Sequence, residues 1–166
     1  MVEDAPDKKE LERALENDTN ASIVENDLTH AKIMKQKNKV LQKLPLTREQ
    51  LKEMHEKLKG YRYLDKLEDF VIGNYVRWIK LVDRDRGVVP EFTLTYGAFI
   101  CDFKIYEPDE SVGETEPKVH LMCKTRRGGM FQIDFDRNII FQKLNRQENI
   151  ILSVLNYLND KESNSV

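Results

Sequence analysis

Aromatic residues are missing from the first sixty positions: all seven Phe, all six Tyr and the single Trp lie after Gly60. A segment without them has little apolar surface to offset the entropy of ordering, so the packed core is expected in the later part of the chain. Cysteine is scarce. Two in 166 residues make no disulfide framework, which points to a reducing compartment. No run of about 18 apolar residues occurs, so no membrane-spanning helix and no membrane partner are expected. The opening residues, Met1-Val-Glu-Asp-Ala-Pro-Asp7, are acidic and do not resemble an export signal.

Catalytic signatures are missing as well. There is no His-Glu-x-x-His, Cys-x-x-Cys, Gly-x-Ser-x-Gly or glycine-rich phosphate loop. His30 and His55 fall on charged helical stretches. In Lys118-Val-His-Leu-Met-Cys-Lys124 the alternation sets Val119, Leu121 and Cys123 on the core side and leaves His120 on the exposed side. Cys101 and Cys123 read as buried thiols, and no metal or other cofactor is expected.

What the sequence does have is segregated charge. Residues 1–27 carry nine acids against three bases, and 28–69 carry eleven bases against six acids. The stretch 107–117 adds five acids and no base, and 118–144 holds six bases against two acids. A net charge of −2 therefore excludes a chain-wide basic field but permits local basic patches. One such patch comprises Lys32, Lys35, Lys37, Lys39 and Lys43 on a helical stretch, with Arg126 and Arg127 at a hairpin tip.

Residues 1–26 are expected to form an acidic, mobile tail. A helical arm over 27–60 follows, its first helix capped by Asp27. Its second helix is better marked: Thr47 and Gln50 form a capping box, Leu46 and Leu51 a hydrophobic staple, and Gly60 suits a left-handed helix end. Residues 61–70 read as a short link. The period then shifts from 3.6 to 2, predicting five strands over about 74–82, 92–106, 118–124, 129–135 and 139–144. Gly97 marks a bulge or sharp bend in the second strand. Arg126-Arg127-Gly128-Gly129 and Asp136-Arg137-Asn138 mark two hairpins. Asn145 and Glu148 open a last helix, and 160–166 is expected to fray.

The fold class predicted is α+β: the arm, a five-stranded antiparallel barrel-like sheet of the Tudor type over 61–159, and a closing helix. If the second and third strands form a hairpin symmetric about residue 112, Cys101 should lie by Cys123, Phe103 opposite Leu121, and Ile105 opposite Val119. Trp78 is expected to belong to a packed cluster rather than a ligand cage, covered by the helix over 47–60 or by the C-terminal helix, and the acidic loop 107–117 to be a flexible connection.

Gly73-Asn-Tyr-Val-Arg-Trp-Ile79, Leu94-Thr-Tyr-Gly-Ala98 and Asn138-Ile-Ile-Phe-Gln-Lys143 resemble a strand-and-turn pattern in uncharacterised small proteins of nucleocytoplasmic large DNA viruses. The resemblance covers residues 64–158, with one departure, Ala98 where that pattern favours glycine. It implies a virus-encoded protein of the host cytoplasm, nucleus or virion, and carries over no site residues. The function expected is a non-enzymatic interaction or structural role with a protein partner. The alternative is a nucleic-acid-binding accessory factor using the basic helix 28–44 and the aromatics Tyr75, Trp78, Tyr96 and Tyr106.

Overall fold

The computed structural model describes residues 7–83, 87–88 and 91–165. Among these, five helices pack on a six-stranded antiparallel sheet: α1 (Lys8–Glu16), α2 (Ala21–Glu25), α3 (His30–Leu41), α4 (Arg48–Lys57) and α5 (Arg146–Ser163). The sheet strands are β1 (Tyr61–Leu64), β2 (Tyr75–Lys80), β5 (Ala98–Tyr106), β6 (Lys118–Lys124), β7 (Met130–Asp134) and β8 (Asn138–Lys143), and the short β3 (Val82–Asp83) pairs with β4 (Gly87–Val88). The order across the sheet is β1-β8-β2-β5-β6-β7, so β1 and β7 are free edges and the sheet is open.

The α+β class holds, and the count of five strands is corrected to six. Tyr61–Leu64, read as a link, is an edge strand on β8. The expected β7–β8 hairpin is not formed. Asp134 instead caps a 3-10 turn over Phe135–Arg137, and β8 leaves it to run between β1 and β2.

The sheet curls strongly. The rings of Trp78 on β2 and Phe131 on β7 lie 5.5 Å apart, although β5 and β6 stand between them and a flat sheet would separate such strands by about 14 Å. The concave face thus closes on itself around Leu64, Val76, Ile100, Leu121, Ile133 and Ile140. Trp78 belongs to that packed cluster, as expected, but is half-buried against Phe131 and not under a helix. On the convex face, α3 and α4 cover the β1–β8–β2 half, burying Leu41, Met54 and Leu58 on Tyr61, Ile79 and Phe141. The α4 cap is the expected one: Thr47 Oγ1 accepts from Gln50 N at 3.2 Å, and Gln50 Oε1 from Thr47 N at 2.9 Å.

Residues 1–26 were expected to be mobile. From Lys8 on, they instead form helices docked on α5; residues 1–6 lie outside the described part. Ala14 and Ile23 are fully buried against Ile151 and Leu152, and Asn17 and Asn20 both donate to Gln147 Oε1, at 2.7 and 3.1 Å. Few apolar residues are needed because α1 and α2 each bury only one. Asp27 is not a cap. It holds φ +46° just before Thr29, whose hydroxyl accepts from Lys32 N. At the other end, α5 continues to Ser163, through the stretch expected to fray.

Register explains where the sheet's side chains point. Phe103 opposes Leu121 and Ile105 opposes Val119, as expected. Between Ile100 and Asp102 the ladder slips, so Ile100 and not Cys101 faces Cys123. Cys101 is the bulged residue, half-buried, and Phe99 is thereby turned to the convex face. A second bulge sits where Gly97 was singled out. Between the pairs Val76–Ala98 and Ile79–Leu94, β2 has two residues and the facing segment has three, Thr95 to Gly97. The loop 107–117 carries a 3-10 turn over Glu110–Val112, capped by Asp109, and Glu114 pairs with Lys118.

Candidate functional site

The β5–β6–β7 half of the convex face has no helix over it among the described residues, and its composition is mixed aromatic and basic. The bulge at Gly97 turns Tyr96 outward until it is 94% exposed, the re-aiming of a side chain that bulges produce. Tyr75 lies beside it, its hydroxyl donating to Tyr96 O at 2.8 Å. The Tyr75 ring meets Phe99 edge-on at 4.9 Å, and the Arg126 guanidinium lies over it at 5.4 Å from the ring centroid. Lys124 is paired with Phe99 and Met130 across the ladder and is exposed. Arg127 is exposed at the hairpin tip, where Gly128 (φ +92°) lets the chain reverse. Arg77, below this group, is held by Thr95 O at 2.7 Å and Lys57 O at 3.3 Å.

Further along the same face stands Tyr106, beside His120. The expectation that His120 is exposed is corrected: it is 5% exposed. Tyr106 covers its ring at 4.9 Å, and Gln132 Oε1 accepts from both Tyr106 Oη, at 3.0 Å, and His120 Nδ1, at 3.1 Å. His120 Nε2 is 3.8 Å from Asp134 Oδ2, too long for a hydrogen bond, and has no other partner. Asp134 also meets Arg137 Nε at 3.4 Å. The imidazole is closed off by the Tyr106 ring and Gln132 that bury it.

The basic residues of the predicted patch separate. Lys37 is buried, with its Nζ donating to Leu58 O at 2.9 Å. It finishes the end of α4, and burial lowers its pKa from the ordinary 10.5. Lys32, Lys39 and Lys43 line a cleft between α3 and β1, together with Arg62 and Lys66; Lys35 is exposed outside it. Arg126 alone of the basic set touches the predicted aromatics. Of the four aromatics, Tyr75 and Tyr96 are together, Tyr106 is at the far end of their face, and Trp78 is on the opposite, concave side.

Phe99, Lys124 and Arg62 were not anticipated. Strict alternation through Cys101 put Phe99 inside, and a bulge at a non-glycine residue leaves no sequence signal. Among the described residues no group of three or more metal-ligating side chains comes together, and no helix is long and apolar enough to cross a membrane. Comparison with known protein families, with curated proteins and with solved structures finds no match to the chain.

Proposed function

We propose that the protein is a non-enzymatic binding module whose uncovered convex sheet face takes single-stranded nucleic acid. The observation that carries this reading is the assembly of exposed Tyr96 with Phe99, Tyr75 and Arg126 on one surface. Bases stack on exposed rings whatever their sequence, while lysine and arginine around the rings meet the phosphates. Lys124, Arg126 and Arg127 supply that charge here. Two acids share the face: Asp102 Oδ1 accepts from Phe103 N at 2.8 Å, and Asp134, at the far end beside His120, meets Arg137 Nε at 3.4 Å. Sequence reading favoured a protein partner and, as the alternative, put nucleic acid on the basic helix 28–44 together with the aromatics Tyr75, Trp78, Tyr96 and Tyr106. In this reading the ligand belongs on the sheet face and not on α3.

Fluorescence anisotropy of a labelled oligonucleotide of about 15 nucleotides, titrated with the full chain, tests it. Neutralising about three phosphates predicts a log–log salt slope near −2, at roughly 0.7 per phosphate for single strands. Tyr96→Ala removes a ring that is almost wholly exposed and should leave stability unchanged. It should weaken binding by about 1–3 kcal/mol, the usual worth of one stacked base. Absence of binding at about 50 mM salt, or binding indifferent to Tyr96→Ala, rejects the reading.

A protein partner is the second reading, favoured by the free edge of β7, where Met130 is 56% exposed. An added strand from a partner would pair with that edge. Such a complex would be nearly salt-independent and would respond to Met130 and not to Tyr96.

A further inference from the structure

The cleft between α3 and β1 is separate from the sheet face and has a volume of about 600 Å³, within the range of about 300–1,000 Å³ that takes small ligands. Five cations line it, Lys32, Lys39, Lys43, Lys66 and Arg62, against two acids, Asp65 and Asp69. Lys32 is shared with Asp27, at 2.7 Å to its carbonyl and 3.7 Å to its carboxylate. Among the described residues no ion pair engages Lys39, Lys43 or Lys66. The lysines are exposed, so they form the rim, while Arg62 is 6% exposed and lies at depth.

Arg62 is the second, independent observation. Its Nε is buried with no hydrogen-bond partner, and its Nη2 makes a long 3.4 Å bond to Asp69 O. Burial lowers its pKa, and the nearby Glu148 and Asp69 carboxylates only partly oppose that. A desolvated cation with open donors is costly unless an anion meets it, and the planar guanidinium fork matches phosphate oxygens. The rest of the lining consists largely of hydroxyl-reading groups: the Asn26 and Gln36 amides, the Tyr63 hydroxyl, and the two carboxylates, which accept from hydroxyls but repel phosphate.

We propose that this cleft binds a compact, polyphosphorylated small molecule that also bears free hydroxyls, a nucleoside polyphosphate or a phosphorylated polyol. The phosphates sit among Lys39, Lys43, Lys66 and Arg62, and the hydroxyls face Asp65 and Asp69. Those two acids disfavour a continuous phosphate backbone in the cleft, so the site is distinct from the sheet face and does not rest on that reading.

Calorimetric titration of the full chain with ATP, inositol pentakisphosphate and tripolyphosphate tests this, with myo-inositol as the uncharged control. Either hydroxylated polyphosphate should bind with Kd of about 10 µM or below at moderate salt, with tripolyphosphate at least several-fold weaker and myo-inositol silent. The double variant Lys39→Glu, Lys43→Glu alters only exposed or half-exposed rim atoms and should weaken binding more than about tenfold. Tyr96→Ala should leave it unchanged. Arg62→Lys keeps the charge, removes the fork, and should also weaken binding. The proposal is overturned if no polyphosphate binds below about 1 mM, if the rim variant binds as the native chain does, or if Tyr96→Ala weakens binding equally.

Discussion

Gly97 holds φ at +100° in the bulge that exposes Tyr96. A Cβ placed there would stand 2.4 Å from the Val76 carbonyl oxygen, 2.6 Å from Tyr75 Cε1 and 3.0 Å from Arg77 Cγ. The first of these atoms belongs to the main chain of a central strand and cannot swing aside. In an L residue the left-handed conformation alone costs roughly 1–2 kcal/mol, and forcing an extra carbon into a packed place typically adds about 1–3 kcal/mol. Gly97→Ala should therefore lower the unfolding free energy by about 3 kcal/mol. Gly113 supplies the control. It has φ +79° with no atom beyond its chain neighbours within 4 Å of its Cβ position, so Gly113→Ala should lose only about 1 kcal/mol. Urea denaturation followed by circular dichroism, with a common m-value, measures both. If the two variants agree within about 0.5 kcal/mol, the close approach at Gly97 does not matter and the bulge reasoning fails. A loss at Gly97 alone should also reduce oligonucleotide binding, because the Tyr75–Tyr96 contact is built on that approach.

Ile23, 1% exposed against α5, should cost about 2–5 kcal/mol on truncation to Ala; a neutral result in the same urea assay would mean the N-terminal helices do not stay docked. Thr47→Ala should cost about 1 kcal/mol through the lost capping box, and a change below about 0.3 kcal/mol would place the start of α4 elsewhere. Burial raises the Glu148 carboxyl above its ordinary 4.5, against opposing hydrogen bonds from Asn145 and Asn74 and the Arg62 charge. The unfolded chain then releases this proton first as pH rises, so the group's contribution is present below pH 4.5 and lost above it. The stability of Glu148→Gln relative to the native chain should accordingly climb as pH rises above the ordinary carboxyl value of 4.5, and parallel curves would contradict this. Burial, with Cys101 close by, pushes the Cys123 thiol up to about 12. Iodoacetamide at mildly alkaline pH should therefore label Cys101 alone, and labelling of both thiols before unfolding would refute the packing described.

Local signals carried further than long-range ones in reading this chain. Thr47 with Gln50, and Asn145 with Glu148, cap helices as their spacing says, because a cap is a contact within four residues. The bounds of β6 and its pairing with β5 were also legible, since apolar alternation fixes which residues face the core. The register failed only past Cys101, where one extra residue shifts the ladder without a glycine to announce it. β1 was missed because Arg62 occupies a core-facing position in a four-residue strand and breaks the apolar pattern. The place of β8 was illegible for another reason. Asp136-Arg137-Asn138 has hairpin composition, yet strand order depends on contacts across the whole chain. The candidate site divides the same way: the residue types were visible, but which of them meet was not.

Both candidate surfaces follow from the place of β8. By entering between β1 and β2, it leaves β1 as an edge, and α3 packs over the convex face next to that edge. A helix has no free ladder groups to offer and packs about 10 Å from a sheet, roughly twice the spacing between paired strands. A gap therefore remains between α3 and the β1 edge, the cleft that Arg62 and the lysines line. The same two helices, α3 and α4, span about 20 Å when side by side, enough for β1, β8 and β2 with their loops but not for six strands about 4.8 Å apart. Among the described residues nothing helical covers the convex face of β5, β6 and β7, and there the chain has Tyr96, Phe99, Lys104, Tyr106 and Lys124 where a covered face would need aliphatic residues. The shielded residues of that face include His120, Met122 and Asp134, and His120 is covered by Tyr106 and Gln132 rather than by a helix. Open ground on the sheet and a cationic gap at its edge are thus consequences of connectivity. Filling either with a ligand requires no rearrangement of the core.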